Sequence, residues 1–335
     1  MKIGEIGEFG LITKIAAKLP PLSINVKKGI GDDTAVLENE DGNYLLMTTD
    51  MLVENIHFSL KYGTYHSAGW KALAVNVSDI AAMGGTPTYA VVALAVPPGA
   101  EVSEIEELYA GIGECAREYG VDVVGGDTVK SAGGLTINIT LLGSVKADRV
   151  IYRSGAAPGD IIMVTGSLGH SAAGLHALSK GTAGAAGQSA GGVLHSHLYP
   201  SARLREGQAL GRSGMAASMN DISDGLASEI LEICEASGTG CELFSGEIPI
   251  SASVAGIAGH AAVDPVEWAL YGGEDFELVF TVRPQNIGQV KDILDETGCS
   301  PVVVGTILPV TEGCSLVKDG KRHALRPGGY DHFRD

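Results

Sequence analysis

Apolar residues recur along this chain first at helical and then at strand spacing, and the alternation predicts a mixed α/β protein. Leu11, Ile12, Ile15, Ala16 and Leu19 share a helix face, which predicts a short helix over 9–19 ended by Pro20-Pro21. Ala35-Val36-Leu37 and Tyr44-Leu45-Leu46-Met47 are apolar runs of strand type. Residues 68–83, rich in small apolar side chains, read as a helix closed by Gly84-Gly85 and Pro87. A buried strand over 89–96 follows, then an amphipathic helix over 103–119 with Ser103 as N-cap and Glu106 in the capping-box position. A strand over 121–124 runs into Gly125-Gly126-Asp127-Thr128, and 135–145 alternates as a further strand. The stretch 149–159, with Pro158-Gly159 at its end, reads as the crossing between two domains, 1–148 and 149–335. Beyond it come a strand over 160–166, a helix over 171–178, a helix running to Ala236 and a strong strand from Phe276.

Against this background, carboxylates stand repeatedly beside glycine or a hydroxyl residue where an element is expected to end. They are Asp32-Asp33 after Gly31, Asp50 after Thr48-Thr49, Asp79 after Ser78, Asp127 after Gly125-Gly126, Asp221 and Asp224 around Ser223, and Glu274-Asp275 after Gly272-Gly273. Each alone has a plain reading. A Gly-Asp turn is ordinary, and Asp79 could face water on a helix otherwise lined with small apolar residues. Together they repeat too often for surface decoration. Fixed like charges attract cations, and oxygen ligands without a Cys or His cluster select hard ions such as Mg²⁺, which commonly bridges carboxylates to phosphates. His57 on its own reads as structural or functional. His195-x-His197 has no third metal ligand nearby in sequence.

Composition narrows the partners. The 335 residues carry a formal net charge of −17 with no basic cluster, which argues against a nucleic-acid surface and calls for metal ions beside any phosphorylated ligand. Five cysteines without a Cys-x-x-Cys pair suggest neither a disulfide framework nor a zinc site. No run approaches a membrane span and the first residues lack a signal-peptide core, so a cytoplasmic protein is expected. The Gly/Ala/Ser-rich stretch 181–192 is expected as a mobile surface loop of no assigned role. The usual phosphate motifs are missing: Gly320-Lys321 precedes Arg322 and not Ser or Thr, and Gly111-x-Gly113-x-x-Ala116 sits within a helix instead of after a strand.

The set Gly31-Asp32-Asp33, Thr48-Thr49-Asp50 with His57-Phe58, Ser78-Asp79-Ile80-Ala81-Ala82-Met83-Gly84, Gly125-Gly126-Asp127-Thr128, Ser223-Asp224-Gly225-Leu226 and Gly272-Gly273-Glu274-Asp275 resembles the thiamine-monophosphate kinase family. That family lies in the superfamily of aminoimidazole ribonucleotide synthetase, selenophosphate synthetase and the hydrogenase maturation dehydratase, and the likeness spans nearly the whole chain. It implies an α/β protein of two domains: an N-terminal ATP-binding domain that forms a homodimer and a C-terminal α/β sandwich, with several Mg²⁺ ions between them. By the same resemblance Asp33, Thr48, Thr49, Asp50, Asp79, Asp127, Asp221 and Asp224 would hold Mg²⁺. Tyr109, Gly126, Asp127, Arg153 and Ser223 would contact ATP, and His57, Glu274 and Tyr330 would line the thiamine monophosphate site.

The implied reaction, ATP with thiamine monophosphate, needs charge neutralisation and alignment more than covalent chemistry, so no phospho-enzyme and no general base are expected. Thr34 and Asn55-Ile56 depart from the family pattern. Selenophosphate synthesis is disfavoured by the lack of Cys in the first hundred residues, and hydrogenase maturation by a chain that ends in Asp335. A catalytically silent Mg-ATP-binding dimer would have no need of Glu274 and Tyr330.

Overall fold

The computed structural model describes residues 2–39, 42–181, 190–329 and 333. Tyr330 and residues 182–189 of the 181–192 stretch lie outside the described residues, and residues 190–192, expected in that loop, are helical.

The first half is organised by a six-stranded sheet of β1 (Val26–Lys28), β2 (Ala35–Glu38), β3 (Asn43–Val53), β4 (Thr86–Val96), β5 (Asp122–Lys130) and β6 (Thr136–Lys146) in the order β1-β2-β3-β6-β4-β5. Only β4 and β5 run parallel, and the crossover between them is α3 (Val102–Tyr119). Leu46, Leu52, Val92, Leu94, Ile137, Ile139 and Leu141 alternate onto one face, where they bury against α2 (Tyr65–Ala82) and α3. The opposite face exposes Met47, Met51, Tyr89 and Val91, and β5 is exposed along its whole length.

Helix α2 starts at Thr64, whose hydroxyl accepts from the Ser67 N–H while Ser67 returns a bond to the Thr64 N–H. It crosses α3 at Gly69 and Gly111, where a Cβ would stand 2.0 Å from the carbonyl oxygens of Leu108 and His66 respectively. The backbones touch there, which brings α2 deep into the molecule with most of its length buried.

The second half is built on seven strands, β7 (Ile161–Val164), β8 (Ala216–Asp221), β9 (Thr239–Phe244), β10 (Leu278–Val282), β11 (Val302–Pro309), β12 (Cys314–Lys318) and β13 (Lys321–Ala324). Their order is β13-β12-β9-β11-β7-β10-β8, antiparallel except for β9 beside β12. Neighbouring residues of β7 and β10 enter different cores: Ile162, Val164 and Val279 pack with α7 (Leu226–Ser237), whereas Met163, Leu278 and Phe280 pack with α6 (Leu204–Ser213) and α10 (Ile287–Asp295). A sheet covered on both faces explains why these strands read as unbroken apolar runs. Helices α4 (His170–Ser179), α5 (Ala190–Leu198), α8 (Ala252–Ala261) and α9 (Pro265–Tyr271) cluster around Ala173, Val193 and Val254.

Three boundaries differ from expectation. Helix α1 runs over Ile3–Ala16 with a break at Gly7 (φ 66°), earlier than 9–19. Helix α3 starts at Val102, with Glu104 and not Glu106 accepting from the Glu101 N–H at 2.8 Å. Strand β5 does not stop at Gly125-Gly126 but continues to Lys130, because pairing with β4 carries the backbone through the glycines; Asp127 therefore lies mid-strand, as does Asp50 in β3.

The α2–α3 contact gives a direct check on the packing. Gly69→Ala should cost ~3 kcal/mol, since the added methyl must displace backbone and not a side chain. Urea unfolding that leaves the stability unchanged would mean the helices have slack the structure does not contain.

Candidate functional site

The two halves meet where α2 passes the end of β8. Thr48 and Asp50 face inward from β3, and Thr48 Oγ1 donates a short hydrogen bond to Asp79 Oδ2 of α2. One residue earlier on α2, Ser78 Oγ donates to Asp221 Oδ2 at 2.6 Å across the junction. Asp33, in the turn before β2, completes the group: carboxylate oxygens of Asp33, Asp79 and Asp221 all lie within 4.8 Å of one another. Strand alternation sends Thr49 the other way. Its hydroxyl donates to Ile139 O at 3.2 Å and accepts from Asn138 on the outer face, so its side chain points away from this trio.

Arg153 is the counter-charge. Its Nη2 and Nε lie 2.5 and 3.0 Å from Asp33 Oδ1, and Nη1 lies 2.7 Å from Glu232 Oε2. Asp33 Oδ2 stays buried with no hydrogen-bond partner. Asp32 plays a different part. Lys28 pairs with it at 3.1 Å and the Arg153 N–H donates to it, which ties the turn to the second half.

Burial first, and then mutual repulsion, push the carboxyls of Asp33 and Asp79 well above the carboxylate range, although Arg153 opposes this at Asp33. Asp50 rises to about 7 through burial and the Asp221 charge, and Asp221 itself is raised chiefly by burial. Fully ionised, the group would hold more negative charge than Arg153 neutralises, which is why these carboxyls resist losing their protons. A divalent ion bound by oxygen ligands fits both the donor set and the unpartnered Asp33 oxygen.

Behind the trio, Asn220 donates to Glu229 at 2.5 Å and to Glu232 at 3.1 Å, and Glu229 accepts from the Asp224 N–H at 2.9 Å. Ser223 Oγ donates to Glu229 at 3.3 Å. Asp224 is raised to about 7 by burial and by the charges of Glu232, Glu8, Asp221 and Glu274, which sets it between the trio and a second polar cluster.

That second cluster is centred on Glu274. The Gly272-Gly273-Glu274-Asp275 stretch interlocks with 221–225: Glu274 N–H donates to Ser223 O at 2.6 Å, and Glu274 (φ 59°) and Phe276 (φ 50°) are held in the left-handed region. Lys71, buried in the middle of α2, pairs with Glu274 at 2.7 Å and donates to His57 O at 3.1 Å. His57 Nδ1 accepts from the Val53 N–H at 3.0 Å, which leaves the neutral ring its proton on Nε2. His197 lies 3.4 Å from Glu274 and 2.9 Å from Ser171 Oγ. Burial alone would raise Glu274, but Lys71, His197 and His57 together hold it below the usual range. His197 is driven down to about 4 by burial and Lys71. Asp275 instead accepts the N–H groups of Gly169 and Ser171 at the start of α4, a capping role.

The remaining expected residues lie apart. Asp127 and Gly126 are on exposed β5, outside the buried trio. Gly126 is required by packing, since a Cβ would stand 1.8 Å from Val92 O. Tyr109 of α3, 41% exposed, lines an open apolar groove with Val96, Val102, Ile105 and Thr128, one residue beyond Asp127. Tyr330 falls outside the described residues, but Gly329 (φ 132°) brings the chain against the backbone of Asp224. Trp268, the nearest tryptophan in sequence to Glu274, packs on the His176 ring at 5.5 Å in the α4–α5–α8 cluster. Lys71, Glu229, Glu232 and Tyr62 were missed by the motif pattern, and His197, read there only as half of a His-x-His pair, meets Glu274 and Ser171 instead. Lys71 alone carried a visible signal, a cation inside an apolar helix.

Comparison with known proteins shows the family. Residues 31–145 match the model for the AIR synthase related protein, N-terminal domain, and 157–315 the model for its C-terminal domain. The thiamine-monophosphate kinase of Bacillus subtilis is 38% identical over 98% of this chain and 99% of its own, and that of Escherichia coli K12 is 37% identical over 98% of both. The solved structure of AaThiL complexed with AMPPCP and TMP superposes with a TM-score of 0.85 at 33% identity, covering 99% of each chain. The chain belongs to the thiamine-monophosphate kinase family. Hydrogenase maturation protein HypE, at 21% identity and a TM-score of 0.68, shares the fold alone.

For a member of this family, the neutral buried His197 has a consequence that stability measurements can isolate. Its pKa falls from 6.5 to about 4 on folding, so its contribution is complete above pH 6.5 and is lost as the pH drops toward 4, ~3 kcal/mol in all. The raised carboxyls act with the opposite sign, so the readout is a difference: wild type should lose stability relative to His197→Gln between pH 6.5 and 4. Parallel curves would contradict a buried neutral His197.

Proposed function

We propose that this chain transfers the terminal phosphoryl group of ATP to thiamine monophosphate, giving thiamine diphosphate by direct in-line displacement. The observation that carries the reading is the buried carboxylate trio with an unpartnered Asp33 oxygen, set beside the Lys71–Glu274 pair in a chain of this family. Asp33, Thr48, Asp50, Asp79, Asp221 and Asp224 would hold Mg²⁺, with Thr49 and Asp127 serving from the outer face. Bound there, Mg²⁺ would offset the repulsion between two phosphorylated substrates.

The protein's own groups bind and orient. The apolar groove beside Tyr109 would offer a flat surface for the adenine ring, and Gly126 and Asp127, next to Thr128 of that groove, would border the phosphates. Arg153 and Ser223 are assigned to ATP. Because Arg153 already engages Asp33 and Glu232, it also keeps the carboxylates close before substrate arrives.

His57, Glu274 and Tyr330 are assigned to thiamine monophosphate. The depressed Glu274 carboxyl keeps its negative charge at neutral pH and suits a cationic thiazolium. Tyr62, lining the cleft with Phe58, Lys71 and His197, is a second ring within reach. Proton abstraction is not required, since the acceptor phosphate is already ionised.

We place the domain division at residue 148 and assign the uncovered face of the first sheet, with Met47, Met51, Tyr89 and Val91 exposed, to a homodimer of cytoplasmic protein.

The test is acceptor specificity. ADP should form from ATP and Mg²⁺ with thiamine monophosphate and not with free thiamine, the product being thiamine diphosphate. Turnover of thiamine at a comparable rate, or ADP release independent of any acceptor, would overturn the reading.

A further inference from the structure

The sequence separates Cys234, Cys241 and Cys314 widely and gives them no metal-binding spacing, yet the fold brings them together. Cys234 projects from the last turns of α7. Cys241 and Cys314 face each other on the parallel pair β9 and β12, in direct register. Their three sulfurs lie within 4.8 Å of one another. A tetrahedral ion with Zn–S bonds of about 2.3 Å spaces its sulfurs roughly 3.8 Å apart, so the cysteines need close by little to share one ion.

The surroundings suit a soft ion. Cys234 and Cys241 are buried among Ile230, Leu243 and Ile307 in the core above the sheet, while Cys314 is half-buried and offers a route in. An independent feature points to a fourth donor. Thr239 Oγ1 is buried without a partner of hydrogen-bonding geometry and lies close enough to Cys234 to favour its thiolate.

We propose that Cys234, Cys241 and Cys314 form a site for one thiophilic d¹⁰ metal ion. The shared chemistry is thiolate ligation: Zn²⁺ would take the Thr239 hydroxyl or a water as fourth donor, and Cu⁺ would be content with three sulfurs. Each thiol that ligates releases its proton to solvent. The ion would clamp the C-terminal end of α7 onto β9 and β12. The other end of that helix carries Glu229 and Glu232, which hold Asp224 and Arg153 at the carboxylate site. The site needs nothing from the proposed reaction and stands or falls separately from it.

The full-length chain, reduced and desalted, is incubated with Zn²⁺ or Cu⁺ and desalted again, and alkylation of Cys314 is followed by peptide mass mapping. One ion per chain should be retained in a Cys314-dependent way, and bound metal should slow Cys314 alkylation at least about tenfold. Whichever ion does this identifies the occupant. Co²⁺ should give a thiolate-to-metal charge-transfer band in wild type that is absent from Cys314→Ser. The alkylation measurement needs no variant, so a folding defect in the serine protein cannot obscure it. Alkylation unaffected by either ion, or the same retention in wild type and Cys314→Ser, would overturn the site.

Discussion

Everything at the junction of the two halves follows from one unfavourable contact, three carboxylates buried within reach of one another. At short range and low dielectric such charges repel strongly, and no fold holds them together without compensation. Here the compensation is partial. Arg153 neutralises one face of Asp33, hydroxyls of Thr48 and Ser78 donate to Asp79 and Asp221, and the rest of the charge stays uncompensated. A site so arranged has affinity for a cation stored in its geometry before any ligand arrives.

The scaffold explains how that geometry is held. Helix α2 is fixed in depth by backbone contact with α3 and carries Lys71 and Asp79 two turns apart, so one rigid element supports both polar clusters. The second half answers with two interlocked turns, 221–225 and 272–276, whose positive-φ residues are kept in place by hydrogen bonds to each other's backbone. Carboxylates arrive from β3, α2 and β8 and meet at a domain junction. The His57–Lys71–Glu274–His197 group lies further along the same helix, a distinct environment with its own charge balance.

Much of this was legible in sequence because glycine, hydroxyl and carboxylate residues recur at the positions that matter. The apolar runs gave β3, β4, β6 and α2 closely, and the motif set located Asp33, Asp79, Asp221 and Glu274. Two kinds of feature escaped. Backbone pairing overrode local signals at Gly125-Gly126, where β4 carries the strand onward, and strand alternation separated Thr49 from Thr48. Long-range partners were also invisible, since nothing in the spacing of Glu229, Glu232, His197 or the three clustered cysteines announces what they meet. Such residues become functional candidates only once elements far apart in sequence are packed.

The central claim is that the carboxylate trio is a cation site under electrostatic strain. Thermal unfolding of wild type and Asp79→Asn, each with and without Mg²⁺, tests it most directly, because Asp79 has no cationic partner among the described residues. Without Mg²⁺ the Asn protein should melt higher than wild type, as one repelling charge is gone, and Mg²⁺ should raise the melting temperature of wild type but scarcely that of the variant. An Asn variant that melts lower without Mg²⁺, or a Mg²⁺ response equal in both proteins, would contradict the account.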